Sequence, residues 1–132
     1  MALCGQCHRP PPPREVRPTD FDAIRFQAAT LTWSRCYTET GKGLSCTTCH
    51  GPHHDADTSP AHYERKCLDC HAPNAVAASS REPVLPRGAR RVPCPVNPNT
   101  NCLECHMPKS STAMLHSEFT DHHIRVHREK SP

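Results

Sequence analysis

The chain of 132 residues is short enough for a single domain, yet it carries few of the residues that build a core. Hydrophobic residues make up 35% and aromatic residues 5%, against about 45–50% apolar residues in typical globular domains. The formal net charge is +3, 15 prolines interrupt long regular elements, and no apolar run is long enough to span a bilayer. Such a chain is therefore either disordered or supplied with an interior by something else.

One motif, Cys-x-x-Cys-His, occurs four times. The four copies are Cys4/Cys7/His8, Cys46/Cys49/His50, Cys67/Cys70/His71 and Cys102/Cys105/His106. Two cysteines at this spacing can form thioethers with both vinyl groups of one haem, and the histidine is placed to bind its iron as the proximal ligand. Two Cys-x-x-Cys pairs can instead build a zinc cage, and one pair a dithiol redox site, but neither explains the histidine. The motif therefore predicts four covalent haem c groups.

Four porphyrins would supply the interior that the side chains lack. We expect one haem-cored domain over residues 1–132, mostly irregular with short α-helices and little β-structure, that does not fold without haem. Four haems also add about eight propionate charges, so the charge of +3 does not indicate a nucleic-acid partner.

The first half of the chain contains one predicted helix. Pro10 to Pro13 follow the first motif and predict extended polyproline II. A helix is then predicted from an N-cap at Thr19, with one apolar face. That face consists of Phe21, Ile24, Ala28 and Leu31.

Two cysteines, Cys36 and Cys94, lie outside every motif. In an oxidising compartment two spare cysteines most simply pair, which predicts a Cys36–Cys94 disulfide. The alternative is two buried free thiols.

The second half is predicted to be mostly loop. Residues 72–101 are basic, which is typical of a solvated surface, with a docking patch for an acidic partner as the alternative. The basic side chains there are Arg81, Arg87, Arg90 and Arg91. Residues 120–127 are predicted to form a short helix with His123 and His127 on one face.

Seven histidines remain for the distal positions of four irons. His53 is only three residues from His50, and three residues span at most about 11 Å, so if it binds iron as a distal ligand, that iron must belong to a neighbouring haem. His116 and His122 come next, and His127 is taken as the fourth, with His54, His62 and His123 as alternatives. The other interpretation of these last four, His54, His62, His123 and His127, is a histidine that faces solvent or binds a propionate. Met114 is the one methionine alternative.

Residues 34–37, 44–53, 63–67, 102–109 and 119–122 resemble multihaem c-type cytochromes often fused to tetratricopeptide repeats, and the wider group with doubled haem motifs followed by Pro-His. The likeness covers most of residues 19–128, although no repeat domain is present. The resemblance implies bis-histidine haems in a close-spaced series, with His53 and His122 at the distal positions of the family.

These features favour an electron carrier over an enzyme, because two nitrogen ligands leave no open position on iron. The carrier is expected to serve redox partner proteins, either as a soluble shuttle or as the subunit of an extracellular haem filament. In a filament, the haem bound at His8 could take its distal ligand from the next subunit. A multihaem reductase with one open haem is the alternative, and a metal store at Asp55 and Asp57 a minor one. Because c-type haem is ordinarily attached outside the cytoplasm, we expect a periplasmic or extracellular protein whose precursor has a signal peptide.

Overall fold

A computed structural model of the chain describes residues 2–7, 17–18, 20–41, 43–72, 93–111 and 117–127. Short helices dominate this part, joined by irregular segments. The helices are α1 (Ala2–Cys7), a 3₁₀ helix (Phe21–Arg25), α2 (Gln27–Leu31), α3 (Arg35–Glu39), α4 (Cys46–Cys49), α5 (Pro60–His71) and α6 (Cys102–His106), and the strands are β1 (Lys109–Ser111) and β2 (Glu118–Thr120). The prediction of short helices and little β-structure is confirmed for the described residues.

The second, third and fourth motifs each lie on a helix. The two cysteines of the second motif are the ends of α4, and His50 follows directly after it; the helix begins where the Ser45 N–H donates to Thr48 Oγ1 at 2.9 Å. The third motif ends α5, which begins with Pro60 at a position where a proline loses no helical hydrogen bond. The fourth motif forms α6. A helical turn brings both cysteines of a motif and its histidine close together, as a common ligand requires.

The predicted single helix from Thr19 is wrong. The chain forms a 3₁₀ helix and then α2, separated at Phe26, whose φ of −102° and ψ of 60° are not helical. In a continuous helix Phe26 would lie opposite Ile24, two residues away. The break lets Ile24, Phe26 and Leu31 all be buried in the same small core. Thr19, the predicted N-cap, is outside the described residues.

The two strands form an antiparallel hairpin with Lys109 opposite Thr120 and Ser111 opposite Glu118. Strand β2 packs against the 3₁₀ helix. The hairpin therefore brings the segment that follows it, residues 121–127, beside the core.

The predicted helix over residues 120–127 is also wrong, because residues 118–120 are a strand and residues 121–127 are irregular. Side chains take the backbone groups that a helix would use: Asp121 Oδ1 accepts the His123 N–H at 2.8 Å. The Ser34 hydroxyl likewise accepts the Ile124 N–H at 2.8 Å. Such bonds compete directly with helical ones.

Several predictions fall outside the described residues. They are the extended run Pro10 to Pro13, the basic residues Arg81, Arg87, Arg90 and Arg91, the ligands His8 and His116, and the alternative ligand Met114. Among the helices that are described, none is both long and apolar enough to cross a membrane.

Candidate metal centre

Two imidazole rings from distant parts of the chain meet beside the second motif. His50 follows α4, and its N–H donates to the Cys46 carbonyl at 2.9 Å. His122 comes from the segment after β2. The ring centres of His50 and His122 are 6.2 Å apart, and their planes are inclined by 28°. The structure thus joins a predicted proximal ligand to a predicted distal one.

The His122 ring is held in a form that suits a metal ligand. Its Nδ1 lies 2.9 Å from the Thr120 carbonyl, which can only accept, so Nδ1 carries the proton and the lone pair is on Nε2. Burial lowers the pKa of His122, which keeps the ring neutral near pH 7. Metal-bound histidines commonly donate their second ring N–H to a carbonyl in this way.

Ser34 fixes the backbone immediately after this ring. Its side chain is fully buried, at 0% exposure. The hydroxyl donates to the His122 carbonyl at 3.2 Å and accepts the Ile124 N–H at 2.8 Å. One residue next to α3 therefore holds a segment almost ninety positions later in the chain.

A second histidine pair, His106 and His127, lies at the fourth motif. His106 Nδ1 donates to the Arg125 carbonyl at 3.1 Å, and the Arg125 N–H donates to the His106 carbonyl at 3.3 Å. His127 is close enough to His106 to interact with it electrostatically, and burial lowers its pKa. Its Nε2 is buried with no hydrogen-bond partner, 3.8 Å from the Asp121 carboxylate. A buried nitrogen that makes no hydrogen bond suits a bond to a metal.

Four of the motif thiols are shifted towards their neutral form. Partial burial raises the pKa of Cys46, Cys49 and Cys102, and it raises the pKa of Cys67 to about 12. A thioether is uncharged and suffers no such cost of burial, so these surroundings are compatible with thioether attachment.

The thiols of successive motifs are close neighbours. Cys4 and Cys46 are in side-chain contact, as are Cys67 and Cys102. The first motif lies on α1, where Cys7 also lies, and Cys70 and Cys105 complete the third and fourth motifs on α5 and α6. Haems attached to these sulfurs would therefore lie close to one another.

Cys36 and Cys94 have different surroundings. Cys36 interacts electrostatically with Cys49, and burial raises its pKa. Cys94 accepts the Asn97 N–H at 3.4 Å, which lowers its pKa, and it neighbours Cys102. Both are free thiols in the structure, and the disulfide stays a prediction.

Two other predicted ligands occupy exposed positions. His53 belongs to an exposed segment, residues 51–61, and its role as a distal ligand stays a prediction. His71 ends α5 and is exposed. Sequence reasoning did not single out Ser34 or Thr120 as supports of His122. A serine before a helix is a recognisable N-cap, but its partners near residue 122 leave no local signal.

Across the described ranges, no group of three or more histidine, cysteine, aspartate or glutamate side chains is placed to hold a metal ion. One pair of imidazole rings, His50 and His122, is present beside the second motif, and haem iron can take two ligands from the protein. Comparison of the chain with protein-family models, curated proteins and solved structures found no match.

Proposed function

We propose that this protein transfers electrons through four covalently attached c-type haems, each held by two histidines. The pair His50 and His122 carries the proposal. Two imidazoles that bind one metal ion from opposite sides, through bonds of about 2 Å, have ring centres roughly 6 Å apart. The two stacked rings beside Cys46 and Cys49 have a separation of 6.2 Å, which is close to that value.

The described residues supply two ligand sets. At the second site, Cys46 and Cys49 would hold the macrocycle, with His50 as the proposed proximal and His122 as the proposed distal ligand. At the fourth site, Cys102 and Cys105 would provide attachment, with His106 and His127 in the corresponding roles. Bound haem supplies a one-electron couple between ferric and ferrous iron.

The protein's own groups orient the ligands and keep water away. The carbonyls of Thr120 and Arg125 accept the Nδ1 protons of His122 and His106, so that Nε2 of each ring carries the lone pair that would bind iron. Burial of His122 disfavours its protonated form, which could not bind metal. Two nitrogen ligands would leave the iron no open position, which suits electron transfer rather than substrate binding and should give low potentials.

The carrier would work in the periplasm or outside the cell, where it would exchange electrons with redox partner proteins. In a filament, further copies of the chain would be those partners. Electron microscopy of the purified protein separates the two forms, because a shuttle appears as dispersed single chains.

The test is to export the protein in a host that attaches c-type haem and to measure its intact mass and optical spectrum. We expect the added mass of four haems and low-spin bands, with no carbon monoxide binding after reduction. The matched control is C46A/C49A, which should carry one haem fewer. An unmodified mass would refute the proposal, and high-spin bands with carbon monoxide binding would favour the reductase.

A further inference from the structure

Helix α5 packs against α4 and also against α6. Two neighbouring side chains of α5 contact the second and the fourth motifs. The Tyr63 ring centre is 5.4 Å from that of His50 in the second motif. Glu64 Oε1 accepts the Cys102 N–H, at the start of the fourth motif, at 2.9 Å.

The third motif occupies the C-terminal part of this same helix. Its first cysteine, Cys67, is in side-chain contact with Cys102 and close enough to Cys49 to interact with it. The packing of the helices and the neighbours of the Cys67 thiol therefore indicate the same spatial order of the sites. The third site lies between the second and the fourth.

We propose that the third haem site is the middle member of a series that runs from the second through the third to the fourth, and that Glu64 is the positioning residue at the junction of the third and fourth. The inference rests on the proposed function. Glu64 belongs to the helix of one site and holds the first turn of the next, so it sets their relative placement.

The Glu64 side chain is half-buried, which strengthens its electrostatic effect relative to a charge in open solvent. A carboxylate stabilises ferric over ferrous iron and so lowers a midpoint potential. Because Glu64 lies at the junction of the third and fourth sites, its charge should lower the midpoint potentials of both. Asp69 and Glu104 are exposed carboxylates inside the third and fourth motifs respectively, and each should act mainly on its own site.

The experiment is a spectroelectrochemical titration of the four-haem protein with E64Q, D69N and E104Q. We expect E64Q to move two of the redox waves to higher potential. One of them should be the wave that D69N moves, and the other the wave that E104Q moves. Any other pattern overturns the proposed order of sites.

Positioning is tested separately, by the intact mass of E64A and E64Q. Glutamine keeps an oxygen that can accept the Cys102 N–H, whereas alanine removes it. We expect E64A to contain a fraction of chains that lack the fourth haem, and E64Q to retain all four. Equal haem content in the two variants would overturn the positioning role. Wild-type protein without any haem would instead refute the proposed function.

Discussion

The motif helices and the region around residues 23–34 differ in what fills their interiors. None of the residues of α4, α5 and α6, all of which are described, is buried. In contrast, residues 23–34 contain the buried side chains Ala23, Ile24, Phe26 and Leu31, together with Thr30 and Ser34. The motif helices thus have no interior of their own, whereas the other region has a small one.

The same division separates the two kinds of proposed ligand. The proposed proximal histidines follow the motif cysteines directly, so attachment of haem would itself bring them into place. His122 is instead held by Ser34 and Thr120 in the region with the side-chain core. The polypeptide therefore positions this proposed distal ligand, and haem is expected to order the helices that carry the proposed proximal ones.

The largest effect is expected from preventing haem attachment. Protein produced without attached haem should lose amide protection throughout α4, α5 and α6, because their side chains, which are at most half-buried, cannot offset the entropy of ordering. Any protection that remains should lie in residues 23–34. Hydrogen exchange with mass spectrometry measures both regions in one experiment.

The control is the four-haem protein under identical conditions, in which all three motif helices should be protected. Cooperative thermal unfolding of the haem-free protein, with protection in α5, would contradict the prediction. It would show that α5 is stabilised without a porphyrin against it.

Next in size is the effect of H122A, which removes the distal ligand of the second site. We expect one of the four haems to become high-spin and the reduced protein to bind one carbon monoxide per chain. The matched control is H123A, because His123 is adjacent and also half-buried, but its ring contacts Trp33 edge-on instead of His50. An H122A protein with four low-spin haems would contradict the assignment.

Local patterns were informative where the chemistry is local. The four motifs, the short helices and the small amount of β-structure follow from residue spacing and composition. The helix from Thr19 was wrong because Phe26, off the predicted apolar face, also has to be buried. The helix at 120–127 was wrong because Asp121 and Ser34 take its backbone N–H groups.

The pairing of ligands was beyond sequence reasoning for a different reason. Chain length limits what His53 can reach, but no such limit applies to a histidine dozens of residues from its partner. His122 reaches His50 because the β1–β2 hairpin packs on the 3₁₀ helix. That contact depends on tertiary packing, which residue spacing does not report.

The smallest effect is expected from S34A, which removes one hydroxyl group. The change leaves the His122 carbonyl and the Ile124 N–H without their partner, and each unsatisfied buried group costs about 1–3 kcal/mol. We expect the free energy of unfolding of the four-haem protein to fall by about 2–4 kcal/mol in denaturant titrations.

Ser34 should also affect the second site specifically, since its two bonds set the backbone that carries His122. Electron paramagnetic resonance of the ferric protein should show one low-spin signal moved in S34A, because the signal depends on the angle between the two imidazole planes, here 28°. The control is T38A, whose exposed hydroxyl donates only to the nearby Arg35 carbonyl and should change neither measurement. If S34A lowers stability but leaves all four signals in place, Ser34 supports the fold without orienting the ligand.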